Sequence, residues 1–312
     1  MDGFINVLKP PGLTSHDVVD HIRKAFHGIK VGHGGTLDPG AAGVLPILLG
    51  RATRLSSYLL DFSKVYRAEL LLGLSTDTAD SFGKVIAQKE VPSLNIQVIE
   101  RVLDLFKGEI EQIPPMFAAV KHKGKKLYQY AREGITIERK PRTVQIYSIE
   151  LIDYIHPARI IFDVKCSKGT YIRTLCAQIG DALSCGGHMS FLLRKEVGKF
   201  ILPDSYTLEE VNNFVINEER EYLLPMDFLF QGLDHLVLDQ DKIKSLIQGC
   251  SLSYKNLFGE TSNPVSAPVD EKLMPVYTTK REFTALARWK SDSQSSFVLK
   301  PEKVFKTLEE LR

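Results

Sequence analysis

The sequence predicts two domains: an α+β domain with a mixed sheet over residues 1–232, and a small, mostly β domain over residues 233–312. The first prediction rests on strand-like and helix-like stretches that interleave irregularly along the chain. The second rests on the short strand-like runs that follow YLLPMDFLF (222–230), which looks like the end of a domain. A chain of 312 residues is long enough for one large domain or for two domains with sizeable cores.

Apolar residues at helical spacing predict the helices of the first domain. The predicted segments are residues 16–27, 95–107 and 171–183. Ser15 is expected to be the N-cap of the first helix. Thr207 and Glu210 have the spacing of a capping box, which predicts a further helix that begins there.

Runs of β-branched and long apolar residues predict the strands. The predicted strands are residues 65–73, 84–88, 143–153 and 159–166, with KPEKVF (300–305) as the last strand of the second domain. Turn-forming residues separate them, notably at 75–84, SKGT (167–170) and NPVSAP (263–268).

Composition and charge are ordinary for a globular protein, with 44% hydrophobic residues, 25% charged residues and a net charge of +2. Four cysteines form no C-x-x-C pair and eight histidines are dispersed, so we expect no metal site. Cys166 and Cys176 lie among apolar residues and are expected to be buried, reduced thiols. The N-terminus has no signal-peptide pattern and no apolar stretch is long enough to span a membrane, so we expect a cytoplasmic protein.

Residues 32–46, GHGGTLDPGAAGVLP, place one carboxylate, Asp38, among glycines and prolines. Asp-Pro-Gly is a β-turn signal, and on local evidence alone a turn explains the segment better than catalysis does. The glycines are not followed by Gly-Lys-Ser/Thr and do not form a strand–GxGxxG–helix unit, which disfavours a nucleotide-binding loop. The chain also lacks the G-x-S-x-G elbow of serine hydrolases.

A catalytic Asp38 would need a cationic partner, because a buried carboxylate must be paired. Arg173 is the candidate, since it lies in the first turn of a predicted helix that follows a strand. An arginine fork would orient the carboxylate and keep it ionised, as a nucleophile or a base. His33 is explained equally well as a partly exposed loop residue or as a contact to a base or phosphate.

Residues 121–142, KHKGKKLYQYAREGITIERKPR, hold eight Lys or Arg residues and two Glu residues. Most charge runs are solvated surface segments. Here the interleaved Tyr128 and Tyr130 and the nearly neutral remainder of the chain favour an arm that contacts phosphates.

Five blocks of the sequence resemble, in the same order, the bacterial tRNA pseudouridine synthase B family. The loop is similar to that family's GHTGxLDPxAxGxLP signature. The blocks are LKPPGLTSHDVV (8–19), GHGGTLDPGAAGVLP (32–46), RATRLSSYLLDFSKVYRAELLLGLSTDTAD (51–80), IPPMFAAVKHKGKKLYQYAREGI (113–135) and CSKGTYIRTL (166–175). The resemblance implies a pseudouridine-synthase fold, with a mixed, largely antiparallel sheet, flanking helices and a PUA-like C-terminal domain that binds RNA.

The resemblance also implies an activity: a monomer isomerises the uridine at position 55 in the T-loop of tRNA to pseudouridine, with base flipping and without a cofactor. Asp38 takes the catalytic position, Tyr66 the position that stacks on the target base, and Arg173 the position that pairs with the aspartate. The residues implied to bind substrate are His33, Tyr171, Leu192 and Lys9. The residues expected to contact RNA, from a basic insertion at about 113–142, are Lys121, Lys123, Lys125, Lys126, Arg132 and Arg142.

The residue types suit this chemistry, because isomerisation loses no electrons and needs neither a metal nor a redox cofactor. The carboxylate could attack the ribose or base covalently, or it could take a proton from the ribose and pass through a glycal. Two positions depart from the family pattern. Gly34 replaces a Thr, which is expected to loosen the loop, and Leu193 replaces an Arg, which is expected to weaken one contact to RNA or to a carboxylate. The alternatives are a tRNA-binding folding chaperone without catalysis and a binder of small nucleotides.

Overall fold

The computed structural model describes residues 1–117, 121–122, 124–258, 269–291 and 297–311. Contacts divide the chain into two compact units. One unit is Ile5–Tyr222, and the other combines Met1–Phe4 with Leu223–Arg312. The division falls before the boundary that the sequence suggests at residue 233, which stays a prediction.

The larger unit contains a mixed, mostly antiparallel sheet with flanking helices, which confirms the predicted fold class. Its strands are β1 (Gly3–Lys9), β2 (Val31–His33), β3 (Ala42–Leu49), β4 (Lys64–Leu72), β5 (Leu74–Thr76), β6 (Val85–Gln88), β7 (Gly108–Gln112), β8 (Lys121–His122), β9 (Lys125–Lys126), β10 (Arg142–Ile155), β11 (Arg159–Cys166), β12 (Gly187–Val197) and β13 (Phe200–Ile201). Among the described residues, nine strands form one sheet in the order β1-β3-β12-β4-β11-β10-β7, with β2 beside β3 and β13 beside β12. β12 pairs parallel with β3 and antiparallel with β4.

The described helices of this unit include four at predicted positions, which begin at Ser15, Ile96, Ile172 and Leu208, and two that the sequence did not predict. They are α1 (Ser15–Ala25), α2 (Ser56–Asp61), α3 (Ile96–Asp104), α4 (Leu127–Arg132), α5 (Ile172–Ala182) and α6 (Leu208–Ile216). The capping box of Thr207 and Glu210 is present at the start of α6, as predicted. The prediction of Ser15 as the N-cap of α1 is wrong: Thr14 caps the helix with Asp17, because the Ser15 hydroxyl is buried and bonds to the backbone of Leu37.

The main core lies between the sheet and helices α3 and α5. Side chains of Ile99, Leu175 and Ile179 from the helices pack with Leu70 and Phe162 from the strands, all of them fully buried. Alternation along β4 and β11 sends one set of side chains into this core. Each buried Leu, Ile or Phe contributes about 1.5–3 kcal/mol, so this face fixes the register of the sheet.

Cys166 and Cys176 are free, buried thiols, as the sequence predicts. Burial raises the pKa of Cys166 to about 11 and also raises the pKa of Cys176. Both side chains therefore stay protonated at neutral pH and act as small apolar core residues.

β3 and β12 are central strands that sequence periodicity does not predict. β3 is buried along almost its whole length, so its sequence AGVLPILL shows a continuous apolar run rather than alternation. β12 depends on long-range pairing with β3 and β4, which no local pattern specifies. β12 supplies side chains to the site described below, and β3 supplies a backbone carbonyl oxygen that one of them binds.

The smaller unit is rich in strands, as predicted. It contains β14 (Leu236–Leu238), β15 (Leu252–Ser253), β16 (Leu273–Thr278), β17 (Phe283–Ser291) and β18 (Phe297–Val304), with helices α7 (Gln240–Ile247) and α8 (Tyr254–Phe258). Its five strands in the described residues run in the order β14-β16-β17-β18-β15. The predicted last strand at KPEKVF overlaps β18, whereas the predicted loop at 263–268 lies outside the described residues.

No helix within the described part of the chain is both long enough and apolar enough to cross a membrane.

Candidate active site

The Asp38 loop, residues 34–41, connects β2 to β3 through a tight turn. The backbone N–H of Ala41 donates to the carbonyl oxygen of Asp38 at 3.0 Å, which closes a β-turn over Asp-Pro-Gly-Ala. The turn predicted from the sequence is therefore present. It leaves the Asp38 side chain 39% exposed at the surface of a pocket.

The N-terminal block of the sequence holds this loop from below. Lys9, at the end of β1, is fully buried, and its ammonium group donates to the carbonyl oxygens of Pro10, Pro39 and Ala41 at 2.8, 3.2 and 2.7 Å. The N–H of Gly12 donates to Pro39 at 2.8 Å. Burial, together with the charge of Arg194, lowers the pKa of Lys9 to about 8.

Arg194, on β12, holds the loop from the other side. Its side chain is 1% exposed and donates to the carbonyl oxygens of Val44 at 2.8 Å and Gly35 at 3.0 Å. The two backbones approach closely at Gly43, whose φ is +116° and where a Cβ would lie 2.2 Å from the carbonyl oxygen of Arg194. Only glycine fits there, because a side chain would collide with the neighbouring strand.

Arg173 joins two carboxylates that are distant in the sequence. Its Nε lies 3.0 Å from Oδ2 of Asp38 and its Nη2 lies 3.4 Å from Oδ1, so the guanidinium forks onto that carboxylate. Its Nη1 lies 3.4 Å from Asp80, and Nη2 also donates to the carbonyl oxygen of Phe117 at 2.9 Å. With only 5% of the Arg173 side chain exposed, these contacts hold Asp38 in one orientation.

Burial and the neighbouring charged groups shift the pKa of Asp38 in opposite directions. Burial raises the pKa of the Asp38 carboxyl group, and the nearby Asp80 raises it as well, whereas Arg173 and Lys9 lower it. The net direction is upward from the ordinary value. The ionised carboxylate is therefore a stronger base than that of an ordinary aspartate, although Arg173 favours the ionised form, as the sequence suggests.

The pocket beside Asp38 has a volume of about 520 Å³. Six residues predicted from the sequence lie on its wall: Asp38, Tyr66, Arg142, Tyr171, Arg173 and Leu192. They come from the Asp38 loop, β4, the start of β10, the N-terminus of α5 and β12. The structure therefore brings them together, while their individual roles stay predictions.

The two pocket tyrosines are held as neutral phenols. Tyr66 lies on β4 opposite Arg194 of β12, and burial raises the pKa of its hydroxyl group. Burial also raises the pKa of Tyr171, the residue that precedes α5. The side chain of Gln112 fixes this point of the backbone, because its amide accepts from the N–H of Tyr171 at 2.9 Å and donates to its carbonyl at 3.3 Å.

Two residues assigned to substrate binding do not lie on the pocket wall. His33 ends β2, and its Nδ1 accepts from the N–H of Gly35 at 3.2 Å, at the entry to the Asp38 loop. Lys9 lies beneath the loop with no exposed surface. The contacts of His33 and Lys9 support the Asp38 loop. Binding of substrate by either residue stays a prediction.

The two departures from the family pattern have a local explanation. At Gly34 a Cβ would lie 2.7 Å from Cδ1 of the buried Leu59, so Leu59 occupies the space that a side chain would need. The Gly34 N–H donates to Pro46 at 2.8 Å, which keeps the loop entry fixed. Leu193 alternates with Leu192 and Arg194 along β12, so it faces away from the pocket that they line.

The basic segment at 121–142 is only partly described. Lys123 and the side chains of Lys121, Lys126 and Arg132 lie outside the described residues, as does the side chain of Tyr128. Lys125 pairs with Glu133 and lies over the ring of Tyr130, at 4.8 Å from its centroid. Arg142 is exposed and lines the pocket that contains Asp38.

Several residues of the site were not predicted. Asp80, Arg194, Lys64 and Gln112 all hold either Arg173 or backbone around the pocket. Asp80 lies in the turn-rich stretch after β5, where carboxylates are common and carry no signal of their own. For Arg194 the available signal was its place next to Leu193, as the arginine that this chain keeps of the family's L-R-R run.

Two family models match the chain: the model of the TruB family pseudouridylate synthase (N terminal domain) over residues 23–172, and that of the tRNA pseudouridylate synthase B C-terminal domain over residues 173–231. The chain is 49% identical over 269 residues to the tRNA pseudouridine synthase B of Alkaliphilus oremlandii, covering 86% of this chain and 89% of the relative. It is 42% identical over 307 residues to that of Moorella thermoacetica, covering 97% and 99%. A solved chain described as "Crystal Structure of a Cbf5-Nop10-Gar1 Complex" has a TM-score of 0.75 and 30% identity, covering 99% of this chain and 86% of that one.

Proposed function

The chain belongs to the TruB family of pseudouridine synthases, and from this premise we propose that it isomerises the uridine at position 55 in the T-loop of tRNA, with Asp38 as the catalytic carboxylate. The observation that carries the proposal is the fork of Arg173 onto Asp38 at the wall of a pocket large enough for a nucleoside. The reaction needs no cofactor, because it exchanges one bond to the ribose for another.

The chemistry that suits this carboxylate is proton transfer. The raised pKa of Asp38 makes it a better base, and Arg173 fixes its direction. We infer that Asp38 takes the C2′ proton while the bond between C1′ and N1 breaks, which leaves a glycal and a uracil anion. The uracil turns, its C5 bonds to C1′, and Asp38 returns the proton to C2′. The hydrogen on C5 then leaves as a proton, and N1 takes up a proton from solvent, so the product is a neutral isomer of uridine.

The target uridine has to leave its stack to reach Asp38, which costs a few kcal/mol. Stacking on Tyr66 returns about 1–3 kcal/mol of this. The neutral phenol of Tyr66 and the apolar Leu192 offer such a surface on the pocket wall. Arg142 at the same pocket is positioned to meet the RNA backbone that stays outside.

We further propose that residues 1–232 form the catalytic domain and residues 233–312 a PUA-like domain that binds RNA. The strand-rich smaller unit supports the second assignment. The protein is proposed to act as a monomer on the T-stem-loop of tRNA in the cytoplasm, where the substrate is present.

Asp38→Asn tests the catalytic assignment and separates the enzyme from a folding chaperone. The substrate is a T-stem-loop RNA with tritium at C5 of uridine, because formation of the new bond to C5 releases that hydrogen. Wild-type protein should release tritium and yield pseudouridine on chromatography of the nucleosides, while Asp38→Asn should bind the RNA and release none. Pseudouridine formation by Asp38→Asn, or binding without product by the wild type, would contradict the proposal.

A further inference from the structure

An exposed ion pair lies at the edge of the proposed active-site pocket. The ammonium group of Lys168 lies 2.6 Å from Oδ1 of Asp61, and each side chain is 65% exposed. Lys168 and Gly169 line the pocket that contains Asp38, and so do Leu60 and Lys64, which flank Asp61 in the sequence. The pair therefore links two segments that border the same opening, although 107 residues separate them along the chain.

Both ends of this link are held by firm backbone contacts. Lys168 lies in the SKGT turn, where the N–H of Ser167 donates to Gln145 at 2.8 Å and the Thr170 hydroxyl donates to Ser167 at 3.0 Å. Asp61 ends α2, whose last carbonyls are bound by the buried Lys64, which donates to Leu60 at 2.7 Å. The two charges are thus presented at fixed points of the pocket edge while their side chains remain in solvent.

The pair itself contributes little to stability, because exposed ion pairs are screened and cost side-chain entropy. Because the pair is so weakly stabilising, the Lys168 ammonium group can exchange Asp61 for another anion at a small cost in free energy. A nucleotide whose base enters the pocket leaves its phosphates at the opening, where Lys168 attracts them and Asp61 repels them.

We propose that Lys168 is a phosphate-contacting residue of the substrate site and that Asp61 is its resting counterion, which releases the ammonium group when the RNA backbone arrives. This inference rests on the proposed function, since a nucleic acid substrate is what brings phosphates to this opening. Asp61 then weakens RNA binding in exchange for keeping Lys168 in place between encounters.

We expect substitutions of Lys168 and Asp61 to have opposite effects on the affinity for RNA. Dissociation constants of T-stem-loop RNA are measured for Asp61→Asn and Lys168→Gln over a range of salt concentrations. Lys168→Gln should weaken binding by about three- to tenfold and reduce the slope of log K against log salt by about 0.7–0.9, the value of one phosphate contact. Asp61→Asn should tighten binding by about two- to fivefold at low salt, the size of an exposed charge interaction, and by less in the Lys168→Gln background.

The chain offers a matched control in Lys107 and Asp104, an exposed ion pair of the same 2.6 Å length at the end of α3. Asp104→Asn and Lys107→Gln should leave the dissociation constant and the salt slope unchanged. Lys168→Arg should retain binding, because it keeps the charge. Thermal unfolding of each variant checks that the fold is intact.

An unchanged dissociation constant and salt slope for Lys168→Gln would overturn the inference, and so would weaker binding by Asp61→Asn. The failure of the proposed function looks different. In that case wild-type protein makes no pseudouridine, while opposite shifts of RNA binding in the two variants still support the ion-pair exchange. Pseudouridine formation with no effect of either variant leaves the proposed function standing and removes this inference.

Discussion

Arg173→Lys keeps the positive charge but removes the planar guanidinium group that contacts both carboxylate oxygens of Asp38. Three nitrogen atoms of Arg173 reach Asp38, Asp80 and the carbonyl of Phe117, at 3.0, 3.4 and 2.9 Å for the shortest contact to each. A lysine has one nitrogen on a flexible stem and cannot reproduce a fork. We therefore expect at least two of these contacts to be lost in the variant.

The magnitude follows from the burial of the site. A hydrogen bond to a charged group contributes about 1.5–3 kcal/mol, so two lost contacts amount to about 3 kcal/mol or more. If this loss falls on the orientation of Asp38, it lowers kcat by roughly 100-fold or more. RNA binding should change little, because only 5% of the Arg173 side chain is exposed.

The assay is single-turnover release of tritium from RNA with labelled uridine, at saturating enzyme, alongside the dissociation constant. Arg67→Lys is the matched control, since Arg67 forks onto Asp163 at 2.7 and 2.9 Å and does not line the pocket. The control should retain wild-type kcat. An Arg173→Lys variant within about tenfold of wild type, with an intact fold, would refute the argument that the fork orients the carboxylate.

Two further predictions concern the loop and its ionisation. Burial raises the pKa of Asp38, and the proposed reaction uses its ionised form. We therefore expect kcat/KM to fall with decreasing pH at a point above the ordinary aspartate value of about 3.9. Arg173→Met should move that point upward, since the charge of Arg173 lowers this pKa. Activity that stays constant down to about pH 4 in the pH–rate profile would contradict this prediction. Lys9→Met should lower the free energy of unfolding by about 2–4 kcal/mol, because the carbonyl oxygens of Pro39 and Ala41 in the loop and of Pro10 beside it lose their buried ammonium partner. An unchanged urea midpoint for Lys9→Met would show that the loop does not depend on Lys9.

Much of the local structure was predictable because short-range patterns determine it. Apolar spacing predicted α1, α3 and α5, and runs of β-branched and long apolar residues predicted β4, β10 and β11. The turn at Asp38 followed from Asp-Pro-Gly, and the capping box at Thr207 followed from its spacing to Glu210. Each of these features depends on residues within a few positions of one another.

The N-cap of α1 shows where local reasoning reaches its limit. Ser15 and Thr14 are both good caps, and the sequence cannot choose between them. The choice depends on Leu37, which lies 22 positions further along the chain. Its backbone N–H and carbonyl oxygen both form hydrogen bonds with the Ser15 hydroxyl, which therefore does not cap the helix. A tertiary contact therefore decided a helix boundary.

By itself the sequence determined the residue types of the site, the turn that presents Asp38 and, through five ordered blocks, the resemblance to a family. Only the tertiary structure decided that Arg173 reaches Asp38, that Asp80 shares the guanidinium, and that Lys9 and Arg194 hold the loop from two sides. The physical reason is that a buried guanidinium or ammonium group must find acceptors within about 3 Å, and those acceptors come from whichever strands the long-range pairing places there. Pairing between β3, β12 and β4 made these neighbours, and no local pattern encodes it.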